Sequence, residues 1–277
     1  MRAETGYRPG GIRPSGTQTL AEADVELADR HALVTGGGRG IGAAVASALT
    51  GRGARVTVLG RNEAALAQAV KAGWAAGYGV ADVTDAQALT ASIAAAEAAR
   101  GPLDMLVNNA GAVDTAPFNR TTRALWDEML AVNLTAAFEA CRVVVPGMVQ
   151  RGYGRVVNVA STAGLKGYAY VTAYVAAKHG LVGLTRALAL ELATTGVTVN
   201  AVCPGFTETD LLLSAAARVA GTVHRPVESV LEDLTRSNPQ GRLVMPEQVA
   251  DAVLFLCRPA ASAMTGQAIA VAGGEVM

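Results

Sequence analysis

Short apolar segments alternate with alanine-rich segments from residue 31 to residue 271. The apolar segments are nearly continuous runs, which is typical of strands buried on both faces of a sheet. Strands separated by helices form a parallel sheet with right-handed crossovers. We therefore predict one α/β domain with a doubly wound parallel sheet of about seven strands and helices on both faces. The predicted strands are 32–34, 55–59, 77–81, 103–107, 155–159, 197–202 and 268–271, and the predicted helices are 41–51, 63–72, 85–100, 122–150, 173–194 and 247–257.

The charges of the chain balance, with 23 Lys and Arg residues against 23 Asp and Glu residues among 277. No basic surface for a nucleic acid is indicated, and we predict no nucleic-acid partner. Cys141, Cys203 and Cys257 are far apart in apolar segments, which predicts buried free thiols in a reducing cytoplasm. Neither the cysteines nor the three histidines have the spacing of metal ligands, and we expect no metal.

Residues 1–28 are predicted to form a disordered extension, and residues 29–277 the folded domain. The extension is rich in Gly, Pro, Thr and Arg up to Gln18 and contains no apolar core of a signal peptide. No apolar run reaches the ~18 residues of a membrane span, and we expect a cytoplasmic protein without a membrane partner. An organelle-targeting peptide is the alternative for the extension, although its prolines and glycines disfavour an amphipathic helix.

A glycine-rich turn, Thr35-Gly-Gly-Gly-Arg-Gly-Ile-Gly42, follows the first predicted strand and opens the first predicted helix. Glycines permit a tight turn and let backbone N–H groups approach a pyrophosphate at a helix N-terminus. The spacing differs from the common G-x-G-x-x-G pattern, and a plain loop is the alternative. Because the turn lies between a strand and a helix, dinucleotide binding is favoured.

The second predicted strand ends without the acidic residue that usually holds the ribose 2′-hydroxyl of NAD. Arg61 stands there instead, and Arg39 lies within the glycine turn. Two guanidinium groups can hold a 2′-phosphate through charge-assisted hydrogen bonds, and the alternative is two solvated arginines. We predict NADP(H) as the preferred cofactor, with NAD(H) as the alternative.

Tyr174 and Lys178 are four residues apart in a predicted helix and therefore lie on one helix face. At ~5 Å and an effective dielectric of ~20, an ammonium attracts a phenolate by ~3 kcal/mol, or about two pKa units. We therefore expect Lys178 to lower the pKa of Tyr174, which makes Tyr174 a candidate general acid or base. The spacing alone also fits an ordinary amphipathic face with a solvated lysine.

Further motifs follow the later predicted strands: Asp82-Val83, Asn108-Asn-Ala-Gly111, Asn158-Val-Ala-Ser161 and Pro204-Gly205. Together with the glycine turn and the Tyr174 and Lys178 pair, they resemble the short-chain dehydrogenase/reductase family from about residue 29 to residue 274. The resemblance implies a single-domain Rossmann fold and an NAD(P)-dependent oxidoreductase acting on CH–OH groups. The last segment departs from the family at Ala272, where an Asp is common, which bears on subunit contacts or lid anchoring.

The resemblance implies a catalytic tetrad of Asn133, Ser161, Tyr174 and Lys178. Ser161 would hydrogen-bond a substrate carbonyl oxygen, Tyr174 would deliver a proton, and Asn133 would hold a water that links Lys178 to solvent. A helix kink or buried polar link is the alternative for Asn133, and a loop cap is the alternative for Ser161. The predicted cofactor contacts are Gly36, Gly38, Arg39, Gly40, Ile41, Gly42, Arg61, Asp82, Val83, Asn109, Ala110, Gly111, Tyr174, Lys178, Pro204, Gly205 and Thr207.

The segment 206–242 is predicted to be a lid over the substrate, and its apolar residues suit an acyl chain or ring. The segments 160–164, 176–183 and 198–209 resemble the 3-oxoacyl reductases that act on acyl-carrier-protein or CoA thioesters and the aromatic polyketide ketoreductases. This implies NADPH-dependent reduction of a ketone, and Arg120 and Arg123 are candidate contacts for an acidic carrier protein.

Two other functions remain as alternatives. One is the oxidation of a secondary alcohol or hydroxy acid, which cofactor preference would distinguish. The other is a non-catalytic, cofactor-binding regulatory protein, which the presence of both Tyr174 and Lys178 disfavours. The family resemblance also implies a homotetramer.

Overall fold

The structure, a computed structural model, describes residues 25–277. Strands alternate with helices along the chain as predicted. The strands are β1 (His31–Thr35), β2 (Arg55–Gly60), β3 (Gly77–Val80), β4 (Met105–Asn108), β5 (Gly154–Val159), β6 (Val197–Pro204) and β7 (Ala268–Val271). The helices are α1 (Gly40–Thr50), α2 (Glu63–Lys71), α3 (Ala86–Arg100), α4 (Arg123–Leu130), α5 (Ala136–Arg151), α6 (Thr172–Glu191), α7 (Asp210–Val223), α8 (Val227–Thr235) and α9 (Pro246–Cys257).

The seven strands form one parallel sheet in the order β3-β2-β1-β4-β5-β6-β7. The order reverses between β1 and β4, which are hydrogen-bonded neighbours. In sheets of this kind ligands bind at the carboxyl ends of the strands, beside the point of reversal. The predicted Rossmann fold is confirmed, and its topology places the candidate site in the crevice above β1 and β4.

Helices cover both faces of the sheet and bury two separate hydrophobic clusters. Val34 of β1 lies in the first cluster, with residues of α1 and α9. Leu33, its neighbour in the chain, lies in the second cluster, with residues of α3 and α5. Because successive side chains of a strand point to opposite faces, continuous apolar strands fill both clusters.

One continuous helix covers Arg123–Arg151, close to the predicted 122–150, but a π-helical turn at Ala131–Thr135 separates α4 from α5. The predicted helix did not include this turn. By length and composition alone this helix is also apolar enough to cross a membrane, contrary to our reading of the apolar runs. Cys141, Val144 and Met148 of α5 pack in the second cluster, as in the core helices of many globular proteins.

The segment predicted as a lid contains two helices that the sequence reading missed, α7 and α8. The Thr209 hydroxyl caps α7 by accepting a hydrogen bond from the Leu212 N–H at 3.3 Å. The two helices contact each other through a small cluster that includes Ala216, Ala220 and Val230. The apolar side chains left exposed on α7 are Leu211, Leu213, Val219 and Val223.

Residues 25–28, which belong to the predicted extension, pack on the domain. Leu27 is buried in the first cluster, its N–H donates to the Arg52 carbonyl at 2.9 Å, and Glu26 pairs with Arg258 at 2.6 Å. The rest of the predicted extension, residues 1–24, lies outside the described residues. All three cysteines are buried and free, as predicted.

His31 is fully buried at the start of β1, far along the strand from its carboxyl end. Its ring nitrogens contact the Gly101 carbonyl at 2.7 Å and the Thr57 hydroxyl at 2.8 Å. Burial is the main reason why the pKa of His31 lies below its ordinary value of 6.5. The folded state therefore holds this histidine neutral where the unfolded state would already bind a proton.

We expect a pH-dependent stability from this histidine. Since its pKa is lower in the folded state, its stabilising effect is complete above pH 6.5 and is lost as the pH falls through the lower folded pKa. The measurement is the urea midpoint at about pH 7.5 and about pH 5.5 for the wild type and for His31→Asn. The midpoint should fall less with pH in the variant, and an equal fall in both proteins would contradict the assignment.

Candidate active site

The loops after β1 and β4 are tied together at the crevice by Thr35 and Asn109. The Thr35 hydroxyl accepts hydrogen bonds from the N–H groups of Asn109 and Ala110, each at 3.0 Å. The Asn109 side-chain amide donates to the carbonyls of Thr35 at 2.9 Å and Gly36 at 3.2 Å. Because both hydrogens of this amide are used, Asn109 shapes the glycine turn rather than offering its amide to a ligand.

The glycine turn has a backbone that side chains would obstruct. Gly36 and Gly40 have φ values of 65° and 53°, in the left-handed region that favours glycine. A Cβ at Gly42 would overlap the Gly36 carbonyl oxygen and come within 2.5 Å of Asn109 Nδ2. The N-terminus of α1 begins at Gly40 and has no acidic residue in its first turn. This turn fits a pyrophosphate, which requires close backbone approach and free N–H groups at a helix N-terminus.

The two predicted phosphate-binding arginines are both exposed near the ends of β1 and β2. Arg61 lies 3.5 Å from the Asp82 carboxylate, after β3. The Asp82 carboxylate accepts hydrogen bonds from the Thr84 N–H at 2.9 Å and hydroxyl at 2.7 Å, and these lower the pKa of Asp82. Asp82 therefore stays ionised and forms an exposed ion pair with Arg61.

The other predicted cofactor contacts also lie near the carboxyl ends of the strands. Ile41 packs against the first hydrophobic cluster, and Val83 is buried after β3. Pro204 ends β6, Gly205 donates its N–H to the Val271 carbonyl at 3.0 Å, and the Thr207 hydroxyl donates to the Gly205 carbonyl at 3.0 Å.

The catalytic candidates meet where β5 ends and α6 begins. Lys178 is 4% exposed, and its Nζ donates to the Val159 carbonyl at 2.9 Å. The same Nζ lies over the Tyr174 ring, 5.7 Å from the centroid. The Ser161 hydroxyl oxygen accepts a hydrogen bond from the Ala163 N–H at 3.1 Å and caps the 3-10 turn Thr162–Gly164. This cap orients the Ser161 hydroxyl and leaves its hydrogen available to an acceptor.

The pKa of Tyr174 departs from our expectation. Burial raises the pKa of Tyr174, and the hydrogen bond with Ser161 lowers it to a lesser extent. Burial also lowers the pKa of Lys178 to about 8. The expected lowering of the Tyr174 pKa by Lys178 is therefore wrong for the protein alone. The physical reason is that burial penalises both charged forms, and Lys178 is bonded to a backbone carbonyl and lies over the ring.

Asn133 lies in the π-helical turn and is 2% exposed. Its amide nitrogen donates to the carbonyls of Ala112 at 2.9 Å and Met129 at 3.0 Å, and its oxygen accepts from the Ala112 N–H at 3.3 Å. Asn133 thus links the helix to the loop after β4, as the alternative of a buried polar link anticipated. A Cβ at Gly111 would come within 2.9 Å of its oxygen and 3.7 Å of Lys178 Nζ, so glycine permits this close packing.

A buried chain of side-chain hydrogen bonds holds β4, β5 and α6 in register below the site. The Asn108 amide donates to the Asn158 oxygen at 2.9 Å, and the Asn158 amide donates to the Thr185 hydroxyl at 2.9 Å. The Thr185 hydroxyl in turn donates to the Leu181 carbonyl at 2.8 Å. This chain places the Ser161 turn against the helix that carries Tyr174 and Lys178.

Two features of the site were missed by the sequence reading. The Cys203 thiol, in β6, is buried near Tyr174 and Lys178, and burial raises the pKa of this thiol to about 11. Glu275, in the C-terminal segment, contacts Lys166 and Tyr168 in the loop after Ser161. A single acidic residue within an apolar ending was the available signal for Glu275.

Gly273 and Gly274, which follow Ala272, lie against Asn238 and Pro239 at the end of the lid segment. Gly273 and Gly274 have φ values of 61° and 92°, and a Cβ at Gly274 would come within 3.3 Å of Pro239. Asn238, before Pro239, holds the end of the lid by donating to the Arg242 carbonyl at 2.7 Å. The glycines therefore permit close packing of the C-terminal segment against the end of the lid, and the role of the departure at Ala272 stays a prediction.

Within residues 25–277, no group of three or more His, Cys, Asp or Glu side chains is placed to hold a metal ion. The site instead combines a turn that fits a dinucleotide with a serine, a tyrosine and a lysine. Such a set can bind a nicotinamide cofactor beside a carbonyl or alcohol and move one proton.

Comparisons with known proteins agree with this geometry. The family model of short chain dehydrogenases matches residues 30–219. A putative ketoacyl reductase of Streptomyces coelicolor is 41% identical over 92% of this chain and 98% of the relative. A D-beta-hydroxybutyrate dehydrogenase of Cupriavidus necator is 40% identical over 90% of this chain and 99% of the relative. The crystal structure of an actinorhodin polyketide ketoreductase with NADPH has a TM-score of 0.85 and 40% identity, covering 89% of this chain and 97% of that one. On this evidence the chain belongs to the short-chain dehydrogenase family, and it is an NAD(P)-dependent oxidoreductase.

Proposed function

We propose that this enzyme reduces a ketone with NADPH, and that the ketone is the 3-oxo group of an acyl thioester or a polyketide-like carbonyl. The observation that carries the proposal is the arrangement of Ser161, Tyr174 and Lys178 at the same end of the sheet as the glycine turn. The similarity to a putative ketoacyl reductase and to an actinorhodin polyketide ketoreductase supports the substrate class.

The protein's own residues can supply the proton that the substrate carbonyl oxygen takes up during reduction. The Ser161 hydroxyl, fixed by its bond from Ala163, donates to the substrate carbonyl oxygen and stabilises the negative charge that develops there. The Tyr174 phenol donates a proton to the same oxygen. NADPH, when bound, supplies the hydride to the carbonyl carbon. Lys178, whose pKa is about 8, can exchange a proton near neutral pH and restores the phenol, and a water held near Asn133 would connect Lys178 to solvent.

A protonated Tyr174 is the form that ketone reduction requires. Because burial raises that pKa, the phenol is protonated at neutral pH and enters the reaction as an acid. An alcohol oxidation needs the phenolate as a base. The oxidative alternative is kept because a D-beta-hydroxybutyrate dehydrogenase is 40% identical to this chain. A non-catalytic regulatory role is disfavoured by the complete Ser161, Tyr174 and Lys178 set.

A substrate panel tests the proposal. Purified enzyme with NADPH is offered acetoacetyl-CoA, an acyl-carrier-protein thioester, a cyclic diketone and simple aryl ketones. We expect the thioesters to give the highest kcat/KM. Activity on free ketones without thioester reduction would overturn the substrate class, and oxidation of 3-hydroxybutyrate with NAD at a higher kcat/KM would favour the alternative.

The preference for NADPH rests on Arg39 and Arg61. We expect Arg39→Ala and Arg61→Ala each to raise the KM for NADPH by about tenfold, since each removes a charge-assisted hydrogen bond to the 2′-phosphate. The kcat/KM for NADH should change less than about twofold because NADH lacks that phosphate. Arg142→Ala, an exposed arginine of α5 that pairs with Glu139, is the control. A wild-type enzyme with a higher kcat/KM for NADH would contradict the prediction.

We also propose that the enzyme forms a homotetramer and lies in the cytoplasm. A carrier protein is its proposed partner. Of the two arginines considered for the carrier, Arg123 pairs with Asp127 at 2.8 Å, which leaves Arg120 as the better candidate. Phe138, partly exposed on α5, and Leu190, exposed on α6, are apolar surface that subunit contacts would cover. Light scattering of the purified protein measures the oligomeric state.

A further inference from the structure

Glu275 is a buried acidic residue that the mechanism does not use. Its side chain is 1% exposed, although it lies two residues from Met277 in an apolar segment. One carboxylate oxygen accepts from the Tyr168 phenol at 2.6 Å and from Lys166 Nζ at 3.2 Å. The second oxygen is buried beside Gly205 and has no hydrogen-bond partner among the described residues. A buried carboxylate is costly to desolvate, so its ion pair and hydrogen bond must hold it in place.

The Tyr168 phenol connects this carboxylate to the catalytic turn. It lies 2.7 Å from the Thr162 hydroxyl as well as 2.6 Å from Glu275. A phenol has one hydrogen, and the carboxylate is the stronger acceptor, so the Thr162 hydroxyl donates to the phenol oxygen. Thr162 is 3% exposed and directly follows Ser161. A continuous path thus runs from the C-terminal segment to the residue next to the catalytic serine.

The same tyrosine also contacts the base of the lid. Its ring packs edge-on against Phe206, with the centroids 6.1 Å apart, and Lys166 Nζ lies 5.0 Å from its centroid. Tyr168 is therefore held at its hydroxyl by Glu275 and Thr162 and at its ring by the first residue of the lid segment. Burial and the Glu275 hydrogen bond raise the pKa of Tyr168, which keeps the phenol protonated as a donor.

We propose that Glu275, Lys166, Tyr168 and Thr162 form a tail latch, in which the C-terminal segment fixes the turn that carries Ser161 and the start of the lid segment at Phe206. These four are positioning residues, because they act through Ser161 and do not touch the reacting atoms. The expected change in kcat rests on the proposed ketone reduction. The fixing of the Ser161 turn by the latch does not depend on that reaction.

Two substitutions break the latch at its hydroxyl links while keeping the shape of the side chains. Tyr168→Phe removes the phenol oxygen, and Thr162→Val replaces the hydroxyl by a methyl group of similar size. We expect each to lower kcat about tenfold, the equivalent of one lost hydrogen bond, and to leave the Kd of NADPH unchanged within about twofold. Thr162→Ser keeps the hydroxyl and should retain the wild-type kcat. Glu275→Gln should also lower kcat, and Glu247→Gln, at the exposed start of α9, is the matched control.

Amide hydrogen exchange of residues 161–168 provides a readout that does not depend on turnover. We expect faster exchange in Tyr168→Phe, Thr162→Val and Glu275→Gln than in wild type, Thr162→Ser and Glu247→Gln. Unchanged exchange, an unchanged kcat, or an equal loss in Thr162→Ser and Thr162→Val would each overturn the latch. If the wild type reduces no ketone, the proposed function fails, and hydrogen exchange alone then decides whether the latch exists.

Discussion

Tyr174→Phe is expected to lower kcat for ketone reduction by about 10³-fold, within the range that general acid catalysis contributes. The substitution removes the phenol proton and keeps the ring over which Lys178 lies. The Kd of NADPH should stay within about twofold of the wild type, because the dinucleotide turn is untouched. Steady-state kinetics at saturating cofactor and fluorescence titration with NADPH measure the two quantities.

The control for this variant is Tyr78→Phe, which removes an exposed phenol that donates to Glu63 at 3.2 Å on the edge strand β3. Its kcat should equal that of the wild type. Near-normal turnover of Tyr174→Phe would remove the tyrosine from the mechanism, whatever the control shows.

Gly42→Ala is expected to weaken NADPH binding by about 100-fold, the equivalent of ~2.7 kcal/mol, which lies in the range for forced overpacking. The added Cβ would overlap the Gly36 carbonyl oxygen and approach the Asn109 amide. Both are rigid parts of the turn, because the Asn109 amide is bonded to the carbonyls of Thr35 and Gly36. The turn must therefore open, and the N–H groups that would hold the pyrophosphate move away.

Gly183→Ala is the matched control, since an added Cβ on this exposed glycine of α6 meets no atom within 4 Å. It should bind NADPH as the wild type does. Circular dichroism and thermal unfolding of both variants separate a lost site from a lost fold. A folded Gly42→Ala protein with unchanged NADPH affinity would show that the cofactor does not lie at this turn.

The alternating strands and helices could be predicted because several apolar runs, such as β1, β5 and β6, are buried on both faces, and alanine-rich segments lie between them. The two lid helices could not be separated from loop in the same way. Their apolar residues are mixed with polar ones, and only a few of them, such as Ala216, Ala220 and Val230, pack against each other. The π-helical turn at Asn133 was also unforeseen, since the amide's bonds to Ala112, in a loop distant in sequence, are known only from the fold.

The positions of the catalytic candidates could be predicted from spacing and motif order, but their electrostatics could not. Tyr174 and Lys178 share a helix face as expected, yet burial sets the directions of both pKa values. Burial depends on what β5, β6 and the loop after β4 place around the pair, and this is a tertiary property. Glu275 was missed for the same reason, because its partners Lys166 and Tyr168 lie more than a hundred residues away in the chain.

The most direct test of the proposed reaction follows the hydride itself. Enzyme is incubated with acetoacetyl-CoA and NADPH deuterated at the nicotinamide C4, prepared separately with the label on each face, and the product is examined by mass spectrometry. The account predicts 3-hydroxybutyryl-CoA that carries one deuterium on its hydroxyl-bearing carbon with one of the two labelled cofactors, and no such product from Tyr174→Phe on the same time scale. Unlabelled hydroxy product with both cofactors, or no hydroxy product at all, would contradict it.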